Sequence, residues 1–108
     1  MATSRTITRL GDSMIVSYAS LGAENGLGFE AWEFPDKTIN VYGTGTVTVE
    51  GSPDGANGWV ALKDQAGAAI SLVVAATGAM ALILENPKYI RVVNNNATGV
   101  LAVVTCSK

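Results

Sequence analysis

The stretch 38–50 has the sequence TINVYGTGTVTVE, and it decides the fold class. On either side of its Gly43-Thr44-Gly45 centre, apolar and polar residues alternate with a period of two, which is the pattern of a half-buried strand. The apolar positions are valine and isoleucine, which favour strands, and the two glycines can adopt positive φ in a tight connection. We therefore predict a β-hairpin with a three-residue loop.

Short runs of the same kind recur along the whole chain between clusters of glycine, proline and asparagine. They are too short for typical helices, so little helix is expected. A second hairpin is predicted for Tyr89–Thr105 across the polar tip 94–99. We predict an all-β single domain over residues 1–108, an antiparallel β-sandwich or jelly-roll-like barrel of about seven to nine short strands. The clearest strands are Ser13–Ala19, Phe29–Phe34, Thr38–Tyr42, Thr46–Glu50, Trp59–Lys63, Ala79–Leu84, Tyr89–Val93 and Val100–Cys106.

The composition limits the chemistry that this chain can perform. Its 108 residues include no histidine and one cysteine, so neither an internal disulfide nor a cysteine-based zinc site is expected. Gly11-Asp12-Ser13 matches the start of an esterase signature, but a serine nucleophile of that type needs a histidine base. Asp54, Asn57 and Asp64 lack the ligand spacing of a calcium loop. We expect a protein that is not an enzyme and has no cofactor or metal.

Charge is scarce and unevenly distributed. Charged residues make up 15% of the chain, against roughly 25% in average globular proteins. The net charge is −2 and the sequence has no stripe of basic residues, so nucleic acid is not an expected partner. The segment 65–84 has no charge and is long enough to span a membrane. Its weakly apolar residues and Thr77-Gly78 favour two buried strands, Ile70–Val74 and Ala79–Leu84, joined by a turn. No membrane partner is expected.

Two predicted strands are apolar on both faces, Ala79–Leu84 and Val100–Val104. A strand of an open antiparallel sheet normally has one polar face toward water. These strands are therefore either central in a two-layer core or covered by another subunit, and the shortage of charge favours the second interpretation. We expect the chain to oligomerise or to dock on a larger assembly.

The candidate interface residues come from three parts of the chain. Residues 1–10 are expected to be able to extend as an N-terminal arm, in which Arg5 and Arg9 would reach neighbouring proteins. Trp32 and Phe34 lie two positions apart on one predicted strand and would share a face as interface anchors. The doubly apolar strand contributes Met80, Leu82 and Leu84.

One sequence pattern extends over about half of the chain. Its matching positions are Gly43, Val47, Glu50, Gly51, Ser52, Asp54, Gly55, Trp59, Leu62, Asp64, Gly67, Glu85, Asn86, Pro87, Tyr89, Ile90 and Arg91. In this pattern the stretch resembles small virion proteins of tailed bacteriophages. The resemblance implies a capsid decoration (cement) protein on the outer surface of the virion, whose partners are the major capsid protein and further copies of itself, as a dimer or trimer.

Two alternatives remain open at this point. The first is a head–tail connector or tail-associated structural protein of the same virion. The second is a carbohydrate-binding β-sandwich module, because a GS.DG..W pattern also occurs in unrelated β-sandwich modules. Glycan binding that depends on Trp32 or Trp59 would favour the second alternative.

Overall fold

The computed structural model describes residues 5–21, 25–43, 45–74, 78–94 and 100–108. Within these ranges the chain forms ten strands and no helix, in two antiparallel five-stranded sheets. The predicted all-β, antiparallel sandwich is confirmed. The strands are β1 (Thr6–Leu10), β2 (Ser13–Leu21), β3 (Phe29–Glu30), β4 (Asp36–Gly43), β5 (Gly45–Ser52), β6 (Val60–Ala61), β7 (Ser71–Val74), β8 (Ala79–Leu82), β9 (Tyr89–Asn94) and β10 (Val100–Ser107).

The two sheets differ in how their strands are arranged. Sheet A has the order β1-β2-β10-β4-β8, so the C-terminal strand β10 is its middle strand. Sheet B has the order β3-β9-β5-β6, and β7 pairs with β5 on the same side as β6. Sheet A joins strands that are far apart in sequence, because β10 is hydrogen-bonded to β2 along one edge and to β4 along the other.

Alternating residues of both sheets form the core. The regular alternation of buried and half-buried side chains along β4, β5, β9 and β10 follows the period of two predicted for these stretches. Tyr18 is the largest fully buried side chain, and its hydroxyl donates a hydrogen bond to the Leu27 carbonyl. Burial raises the pKa of Tyr18 well above its usual value. The most deeply buried apolar residues are Val16, Tyr18, Phe34, Ile39, Val41, Val47, Val49, Ile90, Val92, Ala102, Val104 and Cys106.

Both predicted hairpins are wrong. β4 and β5 follow one another through Gly43 and Gly45, yet β4 belongs to sheet A and β5 to sheet B. The same holds for β9 and β10, whose connection 95–99 lies outside the described residues. The period of two identifies the buried face of a strand but not its neighbour, so it cannot distinguish a hairpin from a connection that crosses between sheets.

Two N-terminal segments also differ from expectation. Thr6–Leu10 is no free arm, because β1 pairs with β2 over its whole length as an edge strand of sheet A. The predicted strand Phe29–Phe34 ends at Glu30, and Ala31–Phe34 forms a turn in which the Phe34 N–H donates to the Ala31 carbonyl at 3.0 Å. Trp32 and Phe34 therefore do not share a strand face.

The uncharged segment 65–84 contributes β7 and β8 to different sheets. The predicted strands are thus confirmed for Ser71–Val74 and Ala79–Leu82, while residues 75–77 between them lie outside the described ranges. The prediction that both strands are buried is wrong, because Val73, Met80 and Leu82 are exposed on the outer faces of the two sheets. In the part of the chain that the structure describes, no helix has the length and apolarity needed to cross a membrane.

Lys37 is a charged residue inside the sandwich. It lies on the inward side of β4 beside Ile39 and is only 1% exposed. Its ammonium donates to the Phe34 carbonyl at 2.8 Å and to the Asn86 side-chain oxygen. Burial lowers the pKa of Lys37. The side chain therefore connects the Ala31–Phe34 turn to the segment between β8 and β9.

The buried thiol of Cys106 makes stability sensitive to alkaline pH. Burial raises the pKa of Cys106 to about 11, from an ordinary value of 9.0. The thiol ionises first in the unfolded chain, so its contribution to stability is complete below pH 9 and is lost as the pH rises toward 11. Between pH 8 and about pH 10.5 we expect the free energy of unfolding to fall by about 2 kcal/mol more in the native protein than in Cys106→Val.

This difference is measured by urea denaturation of both proteins across the pH series. The comparison with Cys106→Val cancels the parallel loss from Tyr18. Lys37 has the opposite trend, because its lowered pKa makes stability rise toward the ordinary lysine pKa. The Cys106 thiolate acts on the pKa of Lys37, so the Lys37 trend is part of the measured difference. Identical pH profiles for the two proteins would contradict the prediction.

Candidate functional site

The outer face of sheet A has an unusual composition, and we call it the sheet A outer face. Every second residue of the five strands points outward and belongs to this face. The strand register and the alternation of burial along each strand identify these residues. Its members are Thr6, Thr8, Leu10, Ser13, Ile15, Ser17, Ala19, Asp36, Thr38, Asn40, Tyr42, Met80, Leu82, Leu101, Val103, Thr105 and Ser107.

This face is almost free of charge. Asp36 is its one charged member among the described residues, and it lies at the end of the sheet, opposite Ser107. The outer face of sheet B contrasts with it, because the Glu50 carboxylate and the Arg91 guanidinium form an ion pair at 2.7 Å across two central strands. The shortage of charge noted in the sequence is therefore concentrated on one side of the sandwich.

Large apolar side chains project from the sheet A outer face. Met80 is 67% exposed and Leu10 is 58% exposed, at the two edges of the sheet. Tyr42, Leu82 and Leu101 are also classed among the exposed large hydrophobic residues. Extended apolar patches on a soluble domain mark surfaces that contact other molecules. Serine and threonine occupy most of the remaining positions, which keeps the face neutral.

The residues predicted as an interface separate into two groups. Met80 and Leu82 lie on the sheet A outer face, and Leu84 continues the same exposed row beyond the end of β8. Trp32 is 59% exposed at the Ala31–Phe34 turn, away from that face. The prediction that Phe34 is an interface anchor is wrong, because its ring has no exposed surface and belongs to the core.

Arg5 and Arg9 lie on the inner side of β1 rather than on a free arm. The Arg9 guanidinium packs over the Phe34 ring, 5.4 Å from its centroid, and approaches Glu33 at 3.5 Å. Lys108 approaches the same carboxylate at 3.7 Å. Arg5 is half-buried, with its Nε buried and without a hydrogen bond. Arg9 and Lys108 thus surround the exposed Trp32 turn with exposed ion pairs, each of which contributes little to stability.

Sequence reasoning missed three exposed apolar members of the sheet A outer face, namely Leu10, Tyr42 and Leu101. A signal was present, since Tyr42 and Leu101 occupy the position of a polar residue in otherwise alternating strands. The sequence could not show that Tyr42 and Leu101 lie directly opposite each other, because that depends on the pairing of β4 with β10.

Several residues of the virion-like pattern form a cluster on sheet B. The Glu50–Arg91 ion pair lies below Trp59, whose ring is 4.3 Å from the guanidinium. The edge of the indole lies close to Gly28, where a Cβ would be 3.1 Å from the Trp59 Cη2. Trp59 is half-buried, and the Arg91 guanidinium covers one face of its ring.

The glycines of the same pattern allow two close contacts. A Cβ on Gly51 would lie 2.5 Å from the Pro87 ring, and a Cβ on Gly55, which has a φ of +80°, would lie 3.2 Å from the Tyr89 ring. The EGS.DG half of the pattern therefore packs directly on the ENP.YIR half. Within this cluster, the pattern specifies a local packing arrangement.

Asp54 has a structural role in the same turn. Its carboxylate accepts hydrogen bonds from the Asn57 N–H at 2.8 Å and from the Ala56 N–H at 2.9 Å. These bonds hold the pKa of Asp54 below its usual value. Across the described ranges no group of three or more aspartate, glutamate, cysteine or histidine residues is placed to hold a metal ion.

A shallow apolar cleft of about 420 Å³ lies beside this cluster. Pro53, Val60, Leu62 and Pro87 supply its apolar walls, and Lys88 is the one charged residue in its lining. The cleft contains no carboxylate and no aromatic ring in its lining, so it lacks the paired groups needed for acid–base chemistry.

Comparisons with known proteins identify the fold and no family. No family model and no curated protein sequence matches the chain. Among solved structures, the chain is similar to protein NMB1881 from Neisseria meningitidis, with a TM-score of 0.51 and 11% identity over 100% of this chain and 86% of that one.

Carbohydrate-binding modules also share the fold. A family 29 module has a TM-score of 0.55 and 8% identity over 95% of this chain and 73% of its own. A CBM29-2 variant complexed with mannohexaose gives 0.54 and 9% over 95% and 75%. At these identities the likeness extends to the β-sandwich alone.

Proposed function

We propose that this chain is a structural virion protein that decorates and stabilises a bacteriophage capsid by oligomerising and bridging subunits of the major capsid protein. The proposal needs no catalytic group. Two observations support it. Residues 38–93 resemble small virion proteins of tailed bacteriophages, and the domain has an exposed surface of the kind that neighbouring subunits cover. Each copy contributes modest contacts, and repetition over many equivalent sites makes the assembly strong.

The observation that carries the proposal is the neutral, partly apolar sheet A outer face. An isolated soluble domain normally has charge on each broad surface, and sheet B follows that rule with Glu50 and Arg91. Assembly interfaces have the opposite composition, with few charges at the centre and exposed apolar side chains that become buried. Met80, Leu82 and Leu101 are such side chains.

Bridging requires a second contact surface, and the exposed Trp32 supports one. Its side chain projects from a turn flanked by the Arg9–Glu33 and Lys108–Glu33 ion pairs. A large aromatic residue inside a charged rim is typical of an interface hot spot. In the proposed assembly this corner contacts the shell, while a different surface of the same copy is available to its neighbours.

The test uses expanded, undecorated shells of a tailed phage that has a close homologue of this chain. The purified protein is expected to co-sediment with the shells at many copies per particle and to raise their resistance to heat. Trp32→Ala is expected to weaken binding at least about tenfold, because hot-spot truncations cost about 2 kcal/mol or more. Binding is measured by sedimentation and quantitative gel analysis.

The matched control is Val73→Ala, which removes another exposed apolar side chain on a sheet B strand. It should leave shell binding unchanged. A folded protein that does not bind the shells would refute decoration. Binding restricted to a single vertex would instead assign the chain to the head–tail connector, because one ring cannot supply the copy number of a shell lattice.

Carbohydrate binding has weaker support from the described residues. The modules similar to this chain share its fold, and one of them was solved with mannohexaose. However, Trp59 is half-buried with the Arg91 guanidinium over one face of its ring, and the nearby cleft has no aromatic lining. Sugar-binding platforms need an aromatic face that a sugar ring can stack on, and Arg91 covers one such face here.

A further inference from the structure

We infer that the sheet A outer face is the contact surface between two copies of this chain, which pack face to face around a two-fold axis. The inference deepens the proposed function and rests on it in one respect, namely that this face is covered in the working protein. The occupant of the face is a second copy of this chain.

The charge of the face suits self-association. In a two-fold contact the residues next to the axis meet their own copies, so a charged residue at the centre of the face would meet a like charge. The sheet A outer face avoids this, since Asp36 lies at its end and its other described members are neutral. A different protein partner would normally be recognised through complementary charges, and this face has almost none.

The face has apolar side chains on its middle strand and at both edges. The middle strand β10 presents Leu101 and Val103, so an axis over β10 would bring these residues near their partner copies. Met80 and Leu10 project from the two opposite edges. The Lys108 N–H donates to the Asp12 carbonyl at 3.0 Å, and these two charged residues lie with Asp36 at one end of the sheet. The centre of the contact would therefore be free of charge, as it is in stable interfaces.

The size of the face is sufficient for a stable dimer. The protein measures 31 × 28 × 27 Å, so its six sides have similar shares of the surface. A sixth of the 5466 Å² accessible surface is about 900 Å², against roughly 800 Å² per partner in a standard stable interface. Two sheets packed face to face in this way would lie about 10 Å apart, as the layers of a sandwich do.

The experiment measures the mass of the purified full chain in solution. Light scattering after gel filtration and sedimentation equilibrium should give twice the 11.1 kDa monomer, about 22 kDa. Leu101→Lys places a charge at the centre of the contact, and Met80→Lys places one at its edge. Each variant should raise the dimer dissociation constant at least about tenfold, with the larger increase for Leu101→Lys.

The matched control is Val73→Lys. Val73 is an exposed apolar residue on the sheet B strand β7, and it is 79% exposed. Its replacement should leave the dimer unchanged. Far-UV circular dichroism and thermal melting of all three variants separate loss of the dimer from loss of the fold.

The possible outcomes decide the two proposals separately. A native protein that is monomeric at all concentrations, or that has the mass of three copies, would overturn the two-fold arrangement. A dimer that tolerates both sheet A lysines would overturn it as well. A monomer whose shell binding is abolished by Leu101→Lys would assign the face to the shell protein and keep the proposed function. A dimer that dissociates as expected but never binds shells would support this inference and refute decoration.

Discussion

Replacing Phe34 by alanine is expected to lower the free energy of unfolding by about 3 to 5 kcal/mol. The ring has no exposed surface, and the Arg9 guanidinium packs over it. Truncation would remove buried apolar area and leave a cavity beneath that cation. Chemical denaturation followed by circular dichroism measures the change. A loss of this size is a large part of the stability of a small domain, so Phe34→Leu, with an expected smaller loss, keeps the comparison measurable if the alanine variant does not fold.

The matched control is Trp32→Ala, two residues away in the same turn. Trp32 is 59% exposed, so its replacement should change the free energy of unfolding by no more than about 0.5 kcal/mol. Shell binding should respond in the opposite order, with the large effect at Trp32. Equal stability losses at the two positions, or a larger loss at Trp32, would contradict the division of the pair into one core residue and one surface residue.

The Trp32–Phe34 pair illustrates what sequence periodicity can and cannot determine. Two residues at positions i and i+2 share a face only if the backbone between them is extended. The backbone from Ala31 to Phe34 turns instead, and the turn directs Phe34 into the core and Trp32 into solvent. Of the aromatic residues in the predicted strand Phe29–Phe34, only Phe29 both lies in a strand and is buried.

Elsewhere the period of two was reliable for burial. It predicted the inward side of β4, β5 and β9, and it also contained the information that Lys37 is buried. Lys37 lies two residues before Ile39 and four before Val41, so all three point to the same side of β4. Its position in the strand therefore predicts that it is buried. What the sequence could not show is which groups would receive its ammonium. The Phe34 carbonyl is near in sequence, but Asn86 is brought to it only by the fold.

The candidate site was predicted only from two strands, Ala79–Leu84 and Val100–Val104, and residues were named on the first of them. Met80 and Leu82 were identified because β8 is apolar on both sides, a property that one strand shows by itself. The neutral face as a whole depends on five strands from both ends of the chain lying in the order β1-β2-β10-β4-β8. Residues on β1, such as Leu10, join that face through the pairing of β1 with β2. No local pattern contains this information.

The virion-like pattern has a physical explanation in the same terms. Its glycines and charged residues lie far apart in sequence, yet they contact one another on sheet B, as Gly51 contacts Pro87 and Glu50 contacts Arg91. A pattern of this kind specifies which strands pack together. It therefore indicates how the sandwich is built, while the surface that we propose for assembly lies on the other sheet.

The central contact of this cluster makes Gly51→Val the second substitution with a large expected effect, a loss of about 3 kcal/mol in the free energy of unfolding, at the upper end for overpacking. A Cβ at Gly51 would lie 2.5 Å from the Pro87 Cγ and 2.8 Å from the Leu62 Cδ2. Gly51 is buried within β5, between β9 and β6, so the backbone has little room to move away.

A glycine without such neighbours supplies the control for this substitution. At Gly67 an added Cβ would meet nothing within 4 Å, although its φ is +85°, so Gly67→Ala should cost only about 1 kcal/mol of backbone strain. Denaturant titration of both variants measures the difference. Pro87→Ala removes the ring atom nearest to the new side chain, so in combination with Gly51→Val it should cost less than the sum of the two single changes. Strict additivity would mean that the Gly51–Pro87 contact does not limit what this position tolerates, and that the two halves of the pattern are not held together there.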